Sequence, residues 1–302
     1  MAVRNAEESR KPRARALKVC LALLFLAALY WHADWRLVAS SLANLNPLWL
    51  AAAMLLFAPQ TLVSAFRWRR LVSPLCEITL ADAVRQTLVA STWNLVTPSK
   101  LGEFSKAAML PLAQPLQRVR AAGLVAIEKL ADVLALAALW GVGFAWDSMP
   151  SNRAILLGLL PVALVAAAAS RLGERISAIG STLRQSARNL RLPHLAAHSV
   201  LLWSLHLAQI DCFLKAAGVF VSWHVACARI PAAIFAGLLP VSFCGLGTRD
   251  TALVWLFSDV AAPAAMAVVG LLTATRYLVP GLMGIPLVLG GQGTEVAAPC
   301  PK

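Results

Sequence analysis

We predict an all-α polytopic membrane protein with about six transmembrane spans and two re-entrant or broken helical hairpins, arranged as an inverted-topology repeat. Three observations support this fold class. Hydrophobic residues make up 59% of the 302 residues and charged residues only 14%, whereas a soluble domain averages about 25% charged residues. Two segments, one in each half, interrupt the apolar background with proline, glycine and charged residues. Basic residues concentrate in alternate loops, as in membrane proteins of fixed orientation.

Composition also excludes other classes of protein. The formal net charge of +13 is compatible with nucleic-acid binding, but the bases cluster beside apolar segments, which is typical of topology determinants. The six cysteines are scattered, without a CxxC motif or a metal-like Cys/His spacing. We therefore expect no nucleic-acid partner, no metal and no cofactor.

The chain divides into two tails and one membrane domain. We predict a disordered basic cytoplasmic tail over 1–16, a single transmembrane domain over 17–290 with halves at about 17–150 and 154–290, and a short C-terminal tail over 291–302. Segment 17–31 has the length of a cleaved signal peptide, but no convincing cleavage site follows it, which favours an uncleaved first helix. Segment 47–66 has the roughly 20 residues that cross a bilayer. The RWRR sequence at 67–70 after it is typical of a cytoplasmic interfacial anchor.

The first broken segment is NLVTPSKLGEFSKAAML, residues 94–110. Pro98 removes a backbone donor and disfavours helix at Thr97, while Gly102 adds backbone freedom. The sequence therefore predicts a break between two short helices, which suits a re-entrant hairpin better than a complete crossing.

The second half repeats this pattern in LPVSFCGLGTRDTALVWLF, residues 239–257, where Pro240 precedes a Leu-Gly step and an acid–base pair. The remaining predicted elements are spans at 121–146, 154–170, 195–217 and 263–289, and a polar loop at 171–193 that lies on anionic headgroups. In the resulting topology sixteen bases face the cytoplasm and two, Arg36 and Arg153, face outward. Each half then has three spans and one hairpin, a plan that places a binding site near the midplane.

Charged residues at membrane depth require a partner or a function. Glu128 and Asp132 share one helix face because they are four residues apart. Two interpretations remain open: they line a polar cavity that holds a cationic group or a proton, or they pair with bases elsewhere in the bundle. The candidate bases for such pairs are Lys100, Lys106, Arg249 and Arg276.

The broken segments favour anion binding. A helix that begins inside the membrane presents free N–H groups and the positive end of its dipole. Gly102 and Gly247 would let a ligand approach the backbone, and Lys100, Lys106 and Arg249 would add charge-assisted hydrogen bonds to phosphate. Glu103 and Asp250 would orient these bases or contact an amine. The alternative is a pair of simple kinks with incidental charges.

Several motifs together resemble the membrane domain of bacterial lysylphosphatidylglycerol synthases, which is also the flippase-like family. They are RWRRLV (67–72), TPSKLGEFSKAAML (97–110), EKLADVLAL (128–136), PVSFCGLGTRD (240–250) and the late Arg276. The resemblance runs from about 17 to 290. Its most specific pieces are similar to the family's P-G-R-x-G-E, E-R-x-x-D and G-G-L-G-x-R-E patterns. Departures are Ser99 for Gly, Lys100 and Lys129 for Arg, Cys244 for Gly, and Asp250 for Glu.

The resemblance implies a lipid flippase-like transporter, not an enzyme, that moves a phospholipid or isoprenoid-linked headgroup between leaflets of the bacterial inner membrane. Its partners would be membrane lipids and possibly a separate lipid-modifying enzyme. The alternative is a membrane enzyme, or an enzyme's membrane partner, with Glu128 or Asp132 as a base; no nucleophile–base motif supports it. The predicted substrate-binding residues are Pro98, Lys100, Gly102, Glu103, Lys106, Glu128, Asp132, Gly245, Gly247, Arg249, Asp250 and Arg276.

Overall fold

The computed structural model describes residues 35–112, 114–146, 192–237 and 248–290, and within these ranges the regular structure is entirely helical. The helical class is therefore confirmed. The elements are α1 (Trp35–Ala43), α2 (Pro47–Leu55), α3 (Phe57–Val72), α4 (Leu80–Val96), a 3-10 helix (Pro98–Phe104), α5 (Ser105–Ala108), α6 (Pro115–Trp146), α7 (Leu192–Ala216), α8 (Trp223–Gly237), α9 (Thr248–Leu256) and α10 (Pro263–Leu289).

Two helical segments of the described chain are long and apolar enough to cross a bilayer: Pro47–Val72, in which α2 and α3 meet at Leu56, and Pro263–Leu289. At 1.5 Å per residue, α6 and α7 are about 48 and 37 Å long, which also exceeds ~30 Å of hydrocarbon. Helix α6 includes the whole predicted span 121–146, and α7 includes 195–217 except its last residue. The predicted spans 17–31 and 154–170 lie outside the described residues.

The helix that leads into the first broken segment ends just before Pro98, as the sequence predicts. Helix α4 begins with a capping box between Thr79 and Asp82 and ends at Val96, and Thr97 is extended at φ −104° and ψ 138°. The chain then continues as the 3-10 helix and the four-residue α5, so one long helix precedes the break instead of the predicted short one.

The second broken segment also has a helix on each side. Helix α8 ends at Gly237 and α9 begins at Thr248. The intervening residues, which include Pro240, Gly245 and Gly247, lie outside the described residues.

The first helix of each broken segment packs on the closing helix of the other half. Helix α4 packs along α10, and α8 packs along α6. Glycine permits both close approaches: a Cβ on Gly284 of α10 would lie under 3.0 Å from the Leu88 carbonyl of α4, and a Cβ on Gly143 of α6 would do the same against Ala228 of α8. The two predicted halves therefore contact each other through two closely packed helix pairs.

The apolar core forms two clusters with a polar layer between them. On α6, Ala121, Leu124 and Val125 belong to the smaller cluster, and Ala135 and Leu136 belong to the larger one. Glu128 and Asp132, both buried, fall between these two groups. Six charged residues of the bundle meet in this intervening layer.

Candidate functional site

Arg67 of α3 lies at the centre of the polar layer. Its side chain is 2% exposed, and its Nη2 donates to Glu128 Oε1 at 2.7 Å. Its Nη1 donates to Asp132 and, at 2.8 Å, to Ser199 Oγ on α7. The prediction that 67–70 is an interfacial anchor is therefore wrong for Arg67, because α3 continues to Val72 and turns this side chain into the bundle.

Two lysines complete the ionic contacts of the layer. Lys106 Nζ lies 2.8 Å from both Glu103 Oε2 and Glu128 Oε2 and is fully buried. Lys129 Nζ lies 3.3 Å from Glu103 Oε2 and 3.2 Å from Asp132 Oδ2. These contacts join the break after α4 to the middle of α6.

The six charged residues form a closed ring in which each base contacts two acids and each acid contacts two bases. We call it the ion ring; in order it comprises Arg67, Glu128, Lys106, Glu103, Lys129 and Asp132. Three positive and three negative charges leave it formally neutral. Since buried ions are tolerated when they are paired, the ring accounts for the burial of these six charges.

Glu128 and Asp132 are therefore paired with bases, as one of the two interpretations of these acids predicts. Of the four candidate bases, Lys106 contacts Glu128, whereas Arg249 and Arg276 form no ion pair with either acid in the described structure. The other partners, Arg67 and Lys129, were not predicted. Nothing is described of the Lys100 side chain.

Uncharged neighbours hold the ring in place. The Lys106 ammonium lies 5.0 Å from the centre of the Trp68 ring, a favourable cation–π geometry. Asn94 Nδ2 donates to Glu103 Oε1 at 3.0 Å. Gly102 packs against the backbone of Asn94, where a Cβ would lie under 3.0 Å from the Asn94 nitrogen. Gly102 thus permits close packing of the break against α4, and the predicted approach of a ligand there stays a prediction.

A polar cavity of about 140 Å³ lies against the ring. Ring residues Arg67, Glu103, Lys129 and Asp132 line it, and Arg276 and Tyr277 of α10 also line it. The rest of the lining comprises Phe57, Gln60, Thr61, Ser64, Thr87, Ser91, Asn94, Leu202, Trp203, His206 and Pro280.

Arg276 is the charged residue of this lining that the ring leaves uncompensated. It is 9% exposed, and its Nε and Nη1 have no hydrogen-bond partner among the described residues. No acid among the described residues forms an ion pair with Arg276. Because a buried charge is costly when it has no counter-ion, this wall of the cavity is suited to an anionic ligand such as a phosphate or carboxylate.

Arg249 and Asp250 lie apart from the cavity lining. Arg249 donates to Asp250 Oδ1 from Nε at 2.9 Å and from Nη2 at 2.6 Å, and both side chains are buried. The Arg249 guanidinium lies 5.3 Å from the centre of the Tyr277 ring. Because Tyr277 lines the cavity, Arg249 lies next to a residue of this wall, and its contact with a ligand stays a prediction.

The predicted residues are thus partly assembled. Glu103, Asp132 and Arg276 line the cavity, with Lys106 and Glu128 in the ring behind it. Gly245 and Gly247 lie outside the described residues, as do the side chains of Pro98 and Lys100. Sequence analysis missed the roles of Arg67, Asn94 and Ser199. The one feature of the sequence that indicates a buried Arg67 is its position at the end of an apolar run.

The fold and site define a helical membrane protein with a neutral ion ring in its interior and a polar cavity beside it. The chain belongs to the lysylphosphatidylglycerol synthase TM region family, whose model matches residues 15–284. This match confirms the resemblance found in the sequence. A comparison with curated proteins found no significant match. Family membership indicates a membrane protein involved in lipid handling.

Proposed function

We propose that the protein is a lipid flippase-like transporter in which the cavity receives the anionic part of a phospholipid or isoprenoid-linked headgroup. The observation that carries this proposal is Arg276, a nearly buried arginine of the cavity lining that forms no ion pair among the described residues. Charge-assisted hydrogen bonds from arginine match phosphate oxygens well. The acyl chains would remain in the surrounding lipid.

The ion ring favours transport over catalysis at this site. An enzyme that uses Glu128 or Asp132 as a base needs a carboxylate able to accept a proton from the substrate. Both Glu128 oxygens are held by bases, Arg67 at 2.7 Å and Lys106 at 2.8 Å, and the side chain is fully buried. Asp132 likewise contacts Arg67 and Lys129. We therefore assign the ring a structural and electrostatic role.

The reciprocal packing of α4 on α10 and of α8 on α6 supports an inverted-topology repeat. In transporters of this plan, rocking of one repeat against the other exposes a central site to alternate sides. The cavity lies between helices of both halves, since α3, α4 and α6 contribute residues from one and α7 and α10 from the other. The proposed setting is the bacterial inner membrane with a cytoplasmic N-terminus.

Vesicles reconstituted with the purified protein test this function. A phospholipid with a fluorescent label is placed in one leaflet, and its appearance in the other is followed over time. Transport predicts faster crossing than in protein-free vesicles, with the lipid recovered chemically unchanged. Recovery of a modified lipid would support the enzyme alternative, and crossing no faster than in protein-free vesicles would refute the transporter.

A further inference from the structure

We propose that Gln209 of α7 is a positioning residue for transport, whose amide holds the junction of α2 and α3 on α7 and so fixes the direction of α3 along the cavity. This inference rests on the proposed function and deepens it. Three observations lead to it: the junction lies inside a membrane span, one amide contacts both of its sides, and the helix after it carries much of the cavity lining.

The junction at Leu56 interrupts the span Pro47–Val72 inside the bilayer. Helix α2 ends one residue before Leu56 and α3 begins one residue after it, about 14 Å from the start of the span at 1.5 Å per residue. Pro59, in the first turn of α3, has no N–H group, so the Leu55 carbonyl cannot receive the usual helical hydrogen bond. Because unpaired backbone groups are costly in lipid, an interruption at this depth needs support from a neighbouring helix.

The Gln209 side chain provides this support on both sides of the junction. It is fully buried, and its Nε2 donates to the Ala53 carbonyl of α2 at 2.9 Å. Its Oε1 accepts from Nε2 of Gln60 on α3 at 3.1 Å. The same Gln60 nitrogen donates to the Leu205 carbonyl of α7 at 3.2 Å. One amide of α7 therefore holds the backbone before the junction and a side chain after it.

The partners of the two amides fix their orientation. A backbone carbonyl only accepts hydrogen bonds, so the Gln209 nitrogen must face Ala53 and the Gln60 nitrogen must face Leu205. The Gln209 oxygen then faces the Gln60 nitrogen as an acceptor. Turning either amide around would bring two acceptor oxygens together, so the pair has one favourable arrangement. A side chain without both a donor and an acceptor cannot take the place of Gln209.

The direction of α3 after the junction sets one wall of the cavity. Five lining residues belong to this helix: Phe57, Gln60, Thr61, Ser64 and Arg67. Besides the glutamine pair, Arg67 Nη1 donates to Ser199 Oγ of α7 at 2.8 Å. These two contacts lie about 10 Å apart along α3, and together they fix its direction relative to α7. Gln209 is outside the lining and acts on the cavity through Gln60.

Transport by variants of Gln209 in reconstituted vesicles tests this role. Gln209→Met keeps a long side chain without the amide, and it should lower the maximal rate of lipid crossing per folded protein at least fivefold. In Gln209→Glu, burial favours the neutral carboxyl group, which can donate to the Ala53 carbonyl and accept from Gln60. At about pH 5.5 this variant should therefore keep at least half of the unmodified rate.

The control is Ser204→Ala, at a partly buried hydroxyl of the same helix outside the cavity lining, and it should leave the rate unchanged. Gln209→Asn is one methylene shorter and cannot reach both partners, so it should show the same fivefold loss and replaces Gln209→Met if that variant does not fold. An unmodified rate in either variant would overturn the proposal. So would a Gln209→Glu rate as low as theirs, because the hydrogen-bonding pattern would then be irrelevant.

A distance measurement tests the junction without any transport. Spin labels are placed at Leu48 and Ser73, two exposed positions near the ends of the span, after the six native cysteines are replaced by alanine. Electron–electron double resonance then gives the distribution of label distances. We expect one narrow distribution with Gln209 present and a broader one in Gln209→Met or Gln209→Asn. The same width in all three proteins would overturn the role of Gln209 at the junction.

The two readouts separate this inference from the proposed function. If the unmodified protein moves no lipid but the distribution broadens without the Gln209 amide, the support of the junction stands and the transport function fails. If labelled lipid crosses equally fast with the unmodified protein and with folded Gln209→Met, transport stands and the positioning role of Gln209 fails.

Discussion

Arg67 on α3 and Glu128 on α6, 61 positions apart in the chain, form a buried ion pair with Nη2 2.7 Å from Oε1. Both side chains are almost completely removed from solvent, at 2% and 0% exposure. Because the same guanidinium also contacts Asp132 and Ser199, one side chain ties α3 to α6 and α7. The ring that this pair belongs to sets the electrostatics of the cavity.

Arg67→Met should strongly destabilise the fold. The change leaves Glu128 and Asp132 with one base each in place of two, and breaking a buried ion pair from one side costs about 3 to 5 kcal/mol. The free energy of unfolding in mixed micelles measures the loss. Arg70→Met, at an exposed position on the same helix, removes a cation–π contact with Phe66 at 4.6 Å and should lower it by at most about 1 kcal/mol. A loss below about 1 kcal/mol for Arg67→Met would show that the pair is not buried as described.

Lys106 and Glu128 should be strongly coupled in a double-mutant cycle. Each single change, Lys106→Met or Glu128→Gln, leaves the other ion short of a partner at a Nζ–Oε2 contact of 2.8 Å. The double variant removes both ions, so its loss of unfolding free energy should be smaller than the sum of the single losses by about 1 to 3 kcal/mol. Additive losses would contradict the direct contact.

Gly102→Ala should destabilise the protein and disturb the position of Glu103. The new Cβ would lie under 3.0 Å from the backbone nitrogen of Asn94, and overpacking of this kind costs about 1 to 3 kcal/mol. Gly141→Ala is the matched control, because a Cβ on Gly141 of α6 meets nothing within 4 Å. There the higher helix propensity of alanine should leave stability unchanged or raise it by up to about 1 kcal/mol. Equal effects at the two positions would contradict the close packing of the 3-10 helix on α4.

Local chemistry made part of this structure predictable from the sequence. Pro98 ends α4 because its ring restricts the preceding residue, and Thr97 is extended as expected. The helical class followed from the apolar composition alone. Glu128 and Asp132 were recognised because like charges four residues apart in an apolar span need compensation.

Long-range packing made the rest unpredictable. Whether Arg67 faces lipid headgroups or the interior of the bundle depends on how far α3 continues and on which helices surround it. The RWRR sequence alone is compatible with both positions. The contacts of Lys129 were not predicted either, because this base bridges Glu103 on the 3-10 helix and Asp132 on its own helix. Among the described residues of the cavity lining, Arg276 could be identified as the cation without an ion pair only because the ring pairs the others.

The transport rate of Arg276→Gln in reconstituted vesicles is the most direct test of the account. Labelled phosphatidylglycerol should cross at least tenfold more slowly than with the unmodified protein, with part of the rate restored by Arg276→Lys and no change in Arg70→Gln. Crossing at the unmodified rate by a folded, correctly inserted Arg276→Gln protein would contradict the assignment of this cavity as the headgroup site.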